Sequence, residues 1–262
     1  MSKPKISIIT VCYNSESTIE DTIKSVVSQN YDNFEYIIID GGSTDGTMDI
    51  VGKYRDRIAV VVSEPDYGIS DAFNKGIERT SGEIIGLINS DDILLPGSLS
   101  KISTFYSESI DVYSGNVLMW DENTDTHYIR KPDMVFDNIH RPFRASHPAR
   151  FIKKEAYKKY GGYTIELKYM MDVDLLYRFY NMGASFIHID EVLVKFRLGG
   201  ISSDLKSKKK NDYKIYVRNN GGSNIDFYYI WVSACIRNYG NKLLKKCSSI
   251  RFQNLIHQFL NR

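Results

Sequence analysis

The residues with chemical potential sit where apolar runs end. Ile84-Ile85-Gly86-Leu87-Ile88 stops abruptly in Asn89, Ser90, Asp91 and Asp92: an amide, a hydroxyl and two neighbouring carboxylates. An apolar run of this length, bounded by turn residues, reads as a buried strand. Carboxylates at its exit fall on the rim of a sheet, where open α/β sheets bind ligands. Adjacent anions repel, and a hard divalent cation such as Mg2+ or Mn2+ relieves that repulsion through oxygen ligands. The competing reading has Asp91 and Asp92 cap the helix after Pro96 or sit in a solvated turn. A third carboxylate, Asp40, ends the run from Phe34 to Ile39. It suits a hydrogen bond from a base or ribose, or equally the capping of the turn in Gly41 to Thr47. The chain has no G-x-G-x-x-G and no G-x-x-x-x-G-K-[ST], which speaks against a dinucleotide site and a P-loop kinase.

The elements that must position these groups follow from the pattern. Ile6 to Val11 is a near-continuous β-branched run, as in a strand buried on both faces. Apolar residues at helical spacing follow at Ile19, Ile23, Val26 and Val27. Phe34 to Ile39, Ile58 to Ser63 and Ile84 to Ile88 are further strands, separated by helices around Met48 to Tyr54 and Asp71 to Thr80. Such a βαβ series predicts a mostly parallel sheet with helices on both faces. The first, second and fourth strands then open on one rim, which gathers Tyr13, Asn14, Asp40, Gly41, Asp91 and Asp92. Beyond it, the pattern predicts a helix over Leu99–Ser107 and strands or a hairpin over Val112–Trp120 and Thr126–Arg130. Arg141–Ala149 reads as an extended loop. A short strand at Phe151 leads into a helix through Tyr160, and a second helix covers Met170–Met182. Two strands, Phe186–Ile189 and Val192–Phe196, and a basic hinge at Lys206–Lys210 complete the body. Helices are expected at Phe227–Asn238 and Lys242–Leu260.

Charge is unevenly spread. Residues 206–262 hold twelve Lys/Arg and two Asp/Glu, a net +10, although the 262-residue chain carries only +2. A basic tail on an acidic body suits an anionic partner, or serves only as a solvated face. Cys12, Cys235 and Cys247 form no metal-spaced pair and read as reduced thiols of a cytosolic protein. No signal peptide and no run of about 20 apolar residues is visible.

Four stretches together carry a resemblance. They are Ile6-Ser7-Ile8-Ile9-Thr10-Val11-Cys12-Tyr13-Asn14, then Asp40-Gly41-Gly42-Ser43-Thr44-Asp45-Gly46-Thr47, then Asp66-Tyr67-Gly68-Ile69-Ser70-Asp71-Ala72-Phe73-Asn74-Lys75-Gly76-Ile77, and Asn89-Ser90-Asp91-Asp92. In this order and spacing the chain resembles the family 2 glycosyltransferases of the GT-A fold, densely over the first hundred residues and more thinly to about Ser202. The resemblance implies an α/β architecture, a Rossmann-like sheet flanked by helices, with a basic helical C-terminal extension. It divides the chain into a transferase domain, 1–205, and a tail, 206–262. The domain has a nucleotide-binding half, 1–98, and an acceptor-binding half, 99–205.

It also implies a sugar-nucleotide donor and inversion at the anomeric carbon. Thr10, Val11, Tyr13 and Asn14 would surround base and ribose, with Asp40 at the uracil ring, Asp71 as a second nucleotide-side carboxylate and Lys75 nearby. Asn89-Ser90-Asp91 occupies the place of the family's D-x-D. Asn89 departs from the pattern, so Asp91 becomes the main ligand of Mn2+ or Mg2+, and Asp92 is divided between metal and sugar. An acceptor hydroxyl must lose its proton as it attacks, and Asp172 falls on the position of the general base. Met171 stands where a second carboxylate is usual. The competing role for Asp172 is N-cap of the helix that follows. Asp174, two residues on, faces away from Asp172 and is expected to be structural or to contact the acceptor indirectly. His147, Arg150 and Arg197 are weaker candidates for acceptor or diphosphate contacts.

The resulting expectation is a cytoplasmic hexosyltransferase. It would move a hexose or N-acetylhexosamine from a UDP-sugar to a saccharide on a lipid diphosphate carrier, in O-antigen, capsule or exopolysaccharide synthesis. Its tail would lie on the inner face of the membrane, pack on the body or join a homodimer; no nucleic acid partner is expected. Two alternatives stand beside it: a non-catalytic sugar-binding scaffold, and a sugar-1-phosphate nucleotidyltransferase. The latter normally has a Gly-rich loop with Arg and Lys after the first strand, where this chain has Cys12-Tyr13-Asn14-Ser15.

Overall fold

The computed structural model describes residues 3–133, 147–198, 209–233 and 236. Four parallel strands form its first half: β1 (Ile6–Cys12), β2 (Phe34–Asp40), β3 (Val60–Ser63) and β4 (Ile84–Leu87), in the order β3-β2-β1-β4. Between them lie α1 (Ile19–Val27), α2 (Thr47–Gly52) and α3 (Ile69–Glu78). The β-branched runs are strands because both faces of the sheet are covered. Ile9, Val11, Ile37 and Ile39 pack beneath Ala72, Phe73 and Ile77 of α3. Ile6, Ile8 and Ile38 pack against Ile19, Ile23 and Val26 of α1. Burying each such side chain stabilises the fold by about 1.5–3 kcal/mol.

The second half is mixed. It contains β5 (Ile93–Leu94), α4 (Ser98–Phe105), the hairpin β6 (Val112–Asp121) and β7 (Thr126–Arg130), β8 (Arg150–Lys153), α5 (Lys154–Tyr160), α6 (Met171–Asn181) and β9 (Phe186–Arg197). Beyond β4 the sheet continues β8-β6-β9-β5, with β8 antiparallel to both β4 and β6 and β9 parallel to β6. So the sheet is all-parallel through its first four strands and mixed beyond them. Gly86 lets β8 approach β4 closely, since a Cβ there would lie 2.6 Å from the Phe151 ring.

Three expectations change. The strands expected at Phe186–Ile189 and Val192–Phe196 are one strand. Asp190 and Glu191 lie in a bulge of β9 itself, opposite Gly115 of β6, and pairing jumps from Ser114↔His188 to Asn116↔Val192. Ile93–Leu94, to which the sequence pattern assigned no element, pairs with Lys195 and Val194 as β5. The hinge expected at Lys206–Lys210 gives way, from Lys209, to helix α7 (Lys209–Asn219), followed by a helix over 224–233. Of the remaining expectations, the loop residues 141–146, the segments 199–208 and 237–262, and thus the helix at Lys242–Leu260, lie outside the described residues.

The described part of the tail packs on the body. Ile215, Tyr216, Val217, Phe227 and Ile230 join the same core as Phe73 and Leu175. Asp212 of α7 is buried, and its Oδ2 accepts the N–H groups of Lys168, Tyr169 and Met170 at 3.0, 2.6 and 3.2 Å. Those N–H groups are the unpaired donors at the entry to α6, where an acceptor is needed. Asp212→Ala is therefore expected to lower unfolding free energy by about 2 kcal/mol, the loss of charge-assisted bonds to buried donors. Chemical denaturation of the two proteins measures it; equal midpoints would contradict the capping role. Among the described residues no helix is long and apolar enough to cross a membrane.

Candidate active site

The loops after β1, β2 and β4 meet at one rim. Asn14 takes a left-handed φ of 48° and locks the first two loops together. Its N–H donates to Ser43 Oγ at 2.8 Å, and its Oδ1 accepts the Thr44 N–H at 2.9 Å. The hydroxyls of Ser15 and Ser90 meet at 2.8 Å and tie the first loop to the third. Tyr13 is exposed at the rim, with 61% of its surface open. Thr10 is not at the rim: it is fully buried in β1 and its Oγ1 accepts the Tyr36 hydroxyl at 2.9 Å. Val11 is buried in the sheet as well.

Asp40 is fully buried and serves its own loop. Oδ2 accepts the N–H groups of Gly42 and Ser43 at 3.1 and 3.0 Å and the Ser63 hydroxyl at 2.7 Å. Oδ1 accepts the Ser43 hydroxyl and faces the Cys12 thiol at 3.6 Å. Burial, then Asp40, pushes that thiol far above its ordinary range, so Cys12 is inert packing. Asp71 and Lys75 are likewise engaged locally. Asp71 Oδ2 accepts the Tyr67 N–H at 3.1 Å at the entry to α3, and Lys75 bridges Asp71 and Glu64 at 3.3 and 3.1 Å.

The third loop behaves differently. Asp92 is completely buried, yet neither carboxyl oxygen has a hydrogen-bond partner, and Asn89 Oδ1 is equally unpartnered. Burial, and then the neighbouring Asp91, pushes the Asp92 carboxyl well above the carboxylate range. Burial also raises Asp91, while His147 and Arg197 pull it back. The backbone here is firmly held. Thr22 donates its hydroxyl to the Asp92 carbonyl at 2.7 Å, and Arg197 Nε donates to the Asp91 carbonyl at 3.4 Å. Arg197 also pairs with Glu122, and with Asp21 at 3.6 Å. A rigid loop aiming orphaned oxygens inward is costly unless something fills the gap. The neighbouring chemistry is oxygen-rich with one imidazole, His147, whose Nε2 is also buried and unpartnered. That set suits Mn2+ or Mg2+. Among the described residues no three His, Cys, Asp or Glu groups form a ready cage. This fits cations of this kind that are held by one or two carboxylates plus phosphate oxygens.

Across the site stands Asp172, in the first turn of α6. The cap position belongs to Met170, whose own side chain makes no capping bond, so the competing role as N-cap is not the one Asp172 performs. Instead His147 Nδ1 lies 3.5 Å from its Oδ2, and Arg150 Nη1 and the Tyr163 hydroxyl lie 3.4 and 3.5 Å from its Oδ1. Burial alone would raise the carboxyl, but His147 and Arg150 outweigh it and hold Asp172 below the usual range. The side chain keeps 20% of its surface, enough to meet a ligand. Asp174 is structural, as expected. It is fully buried and bonded to Arg178 Nε, Thr164 Oγ1 and Asn219 Nδ2 at 2.9, 2.9 and 3.0 Å. Sequence reasoning missed Asp212, which caps the turn that presents Asp172. Its signal, a lone acid in a run of lysines, carries no spacing to the residues it caps.

Known proteins share this chain's sequence pattern and fold. The family model of glycosyl transferase family 2 matches residues 7–165. TuaG of Bacillus subtilis (strain 168), provisionally named a teichuronic acid biosynthesis glycosyltransferase, is 39% identical over 127 residues. That match covers 47% of this chain and only 50% of TuaG. EpsE of the same organism, provisionally named a glycosyltransferase, is 30% identical over 207 residues, 75% of this chain and 74% of EpsE. S. aureus TarS 1-349 in complex with UDP-GlcNAc superposes with a TM-score of 0.67 at 21% identity, over 82% of this chain and 66% of TarS 1-349, and so shares the fold. The sheet is thus a GT-A sheet, and the chain belongs to glycosyl transferase family 2.

Proposed function

We propose that the protein transfers a hexose or N-acetylhexosamine, with inversion, from a UDP-sugar to a saccharide hydroxyl during synthesis of a surface polysaccharide. One observation carries the reading. His147 stands between an ionised, partly open carboxylate, Asp172, and the orphaned acidic loop at Asp91 and Asp92. An attacking hydroxyl needs a base on one side and a departing diphosphate needs positive charge on the other. Asp172 takes the hydroxyl proton. Asp91 and Asp92 would hold the cation, and Ser90 and Asn89 would line its approach. A bound Mn2+ or Mg2+ supplies Lewis-acid stabilisation of the leaving diphosphate. Tyr13 and Asn14 border the nucleotide, and Arg150 fixes the base.

The names of the relatives support the polymer class, and the TarS complex supports a UDP-sugar. In this reading 1–98 binds the donor and 99–205 the acceptor; α7 braces α6, and the basic charge of 206–262 is directed toward a lipid-linked acceptor at the inner membrane face. A thermal-shift screen of UDP- and GDP-sugars, with and without Mn2+, tests donor and metal together. The expected result is a rise in Tm with a UDP-sugar that requires Mn2+. A rise with no nucleotide sugar under either condition would overturn the reading.

A further inference from the structure

We propose that the outer face of the helix over 224–233 docks the protein on an anionic lipid bilayer, with Ile225, Tyr228, Val232 and Ile236 entering its interfacial layer. The purpose of the docking rests on the reading of a lipid-linked acceptor above; its binding chemistry does not.

The helix is apolar on two opposite sides. Phe227, Ile230 and Trp231 fall on one side and pack into the body. Phe227 and Ile230 are buried in the core that holds Leu175 of α6, and Trp231 lies against it. Ile225, Tyr228, Tyr229, Val232 and Ile236 fall within an arc of about 100° on the other side, by the turn of an α-helix. They are 80, 58, 58, 45 and 61% exposed. Rotating the helix to hide them would pull Phe227 and Ile230 out of the core. A helix that is apolar all round belongs in apolar surroundings on every side, and a contiguous exposed stripe marks an interaction surface.

Charge decides what covers the stripe. Residues 206–262 hold twelve Lys/Arg against two acids, Asp212 and Asp226. Both acids are engaged internally. Asp212 accepts the N–H groups at the entry to α6, and Asp226 Oδ2 accepts the Ser223 N–H and hydroxyl, each at 2.6 Å. The charge left to meet a partner is cationic. Lys214 and Arg218 of α7 are exposed, and Lys214 Nζ stands 5.6 Å from the Phe227 ring centroid, beside the same helix. A second copy would set like charge against like. An anionic bilayer accommodates both features, the aliphatic side chains at the acyl boundary and the cations among the headgroups. Tyrosine, with an apolar ring and a polar tip, suits that boundary. The surface is also tied to the site. Asp212 caps the turn that bears Asp172, and Asn219 Nδ2 of α7 donates to Asp174 at 3.0 Å in the same turn.

Co-sedimentation of the full chain with vesicles of phosphatidylcholine, alone or mixed with phosphatidylglycerol, tests this. Wild type is expected to pellet with the mixed vesicles and to keep part of that binding in high salt, which screens lysines but not inserted side chains. The triple variant Ile225→Gln, Val232→Gln, Ile236→Gln keeps good helix formers on the face. It should partition at least about 100-fold more weakly, the loss of three partly inserted aliphatic side chains, with Tm and Mn2+-dependent UDP binding unchanged. A fall in its Tm would mean that the chain itself covers the face. Loss of a wild-type dimer on sizing, with vesicle binding unaltered, would assign the face to a second copy. Either result would overturn the inference, as would a wild type that stays in the supernatant or a variant that sediments equally. Wild type that sediments as expected but binds no nucleotide sugar would overturn the donor reading alone.

Discussion

Asp172→Asn is expected to lower kcat for transfer by about 100- to 10,000-fold, the usual contribution of a positioned proton acceptor. Binding of UDP and Mn2+ should change little. Asn keeps the shape and one acceptor oxygen for His147 or Arg150, but it cannot take the proton of an attacking hydroxyl. The direction of the pKa shift sharpens the expectation. His147 and Arg150 hold the folded-state pKa of Asp172 below its ordinary value. The ionised form is therefore favoured by folding. That stabilisation is present above the unfolded value of about 3.9 and is lost as pH falls through the lower folded value. Wild type should thus have its base ionised throughout the neutral range. Initial rates of donor consumption, beside calorimetry with UDP and Mn2+, separate the two effects. Full activity in the variant would remove Asp172 from the role of base, and lost nucleotide binding would make it a structural residue.

Asp91→Ala is expected to weaken Mn2+-dependent UDP binding by at least about ten-fold, the loss of one charged contact. The same change should leave the metal-free protein as stable as wild type or more so. Asp91 is part of why the buried Asp92 carboxyl resists ionisation, and removing it relieves that repulsion. Most substitutions at a buried structural carboxylate would do the reverse. Thermal unfolding with and without Mn2+ and UDP reads both effects. A fall in metal-free Tm with an unchanged ligand-induced shift would assign Asp91 to structure alone.

How much of this was legible beforehand differs by region. The first four strands could be read directly, because Ile6–Val11 and Ile37–Ile39 are β-branched runs whose burial on both faces dictates their composition. Asp91 and Asp92 stood out for a physical reason that the structure deepens: two carboxylates at a strand exit, with Asp92 left without a partner. Other features depend on distant residues and leave no local pattern. β5 is two residues long and exists only because Lys195 and Val194 lie beside it. Asp190 and Glu191 look like a strand break until they are seen to form a bulge within β9. Asp40 matched a motif, but its hydrogen bonds to Gly42, Ser43 and Ser63 appear only once the loop is closed. Asp212 caps residues more than forty positions away. The tail read as a basic surface because its lysines dominate its composition, while Tyr216 and Ile230, fully buried, bind it to the core.

The central claim is that Asp172 and the Asp91–Asp92 loop act on one anomeric carbon from opposite sides. Proton NMR of slow donor hydrolysis tests this most directly, with water standing in for the acceptor. Given an α-linked UDP-sugar and Mn2+, the account predicts that the first sugar released is the β anomer, before mutarotation, and that Asp172→Asn releases none above background. An α anomer appearing first would contradict it, as would hydrolysis by wild type that Asp172→Asn does not diminish.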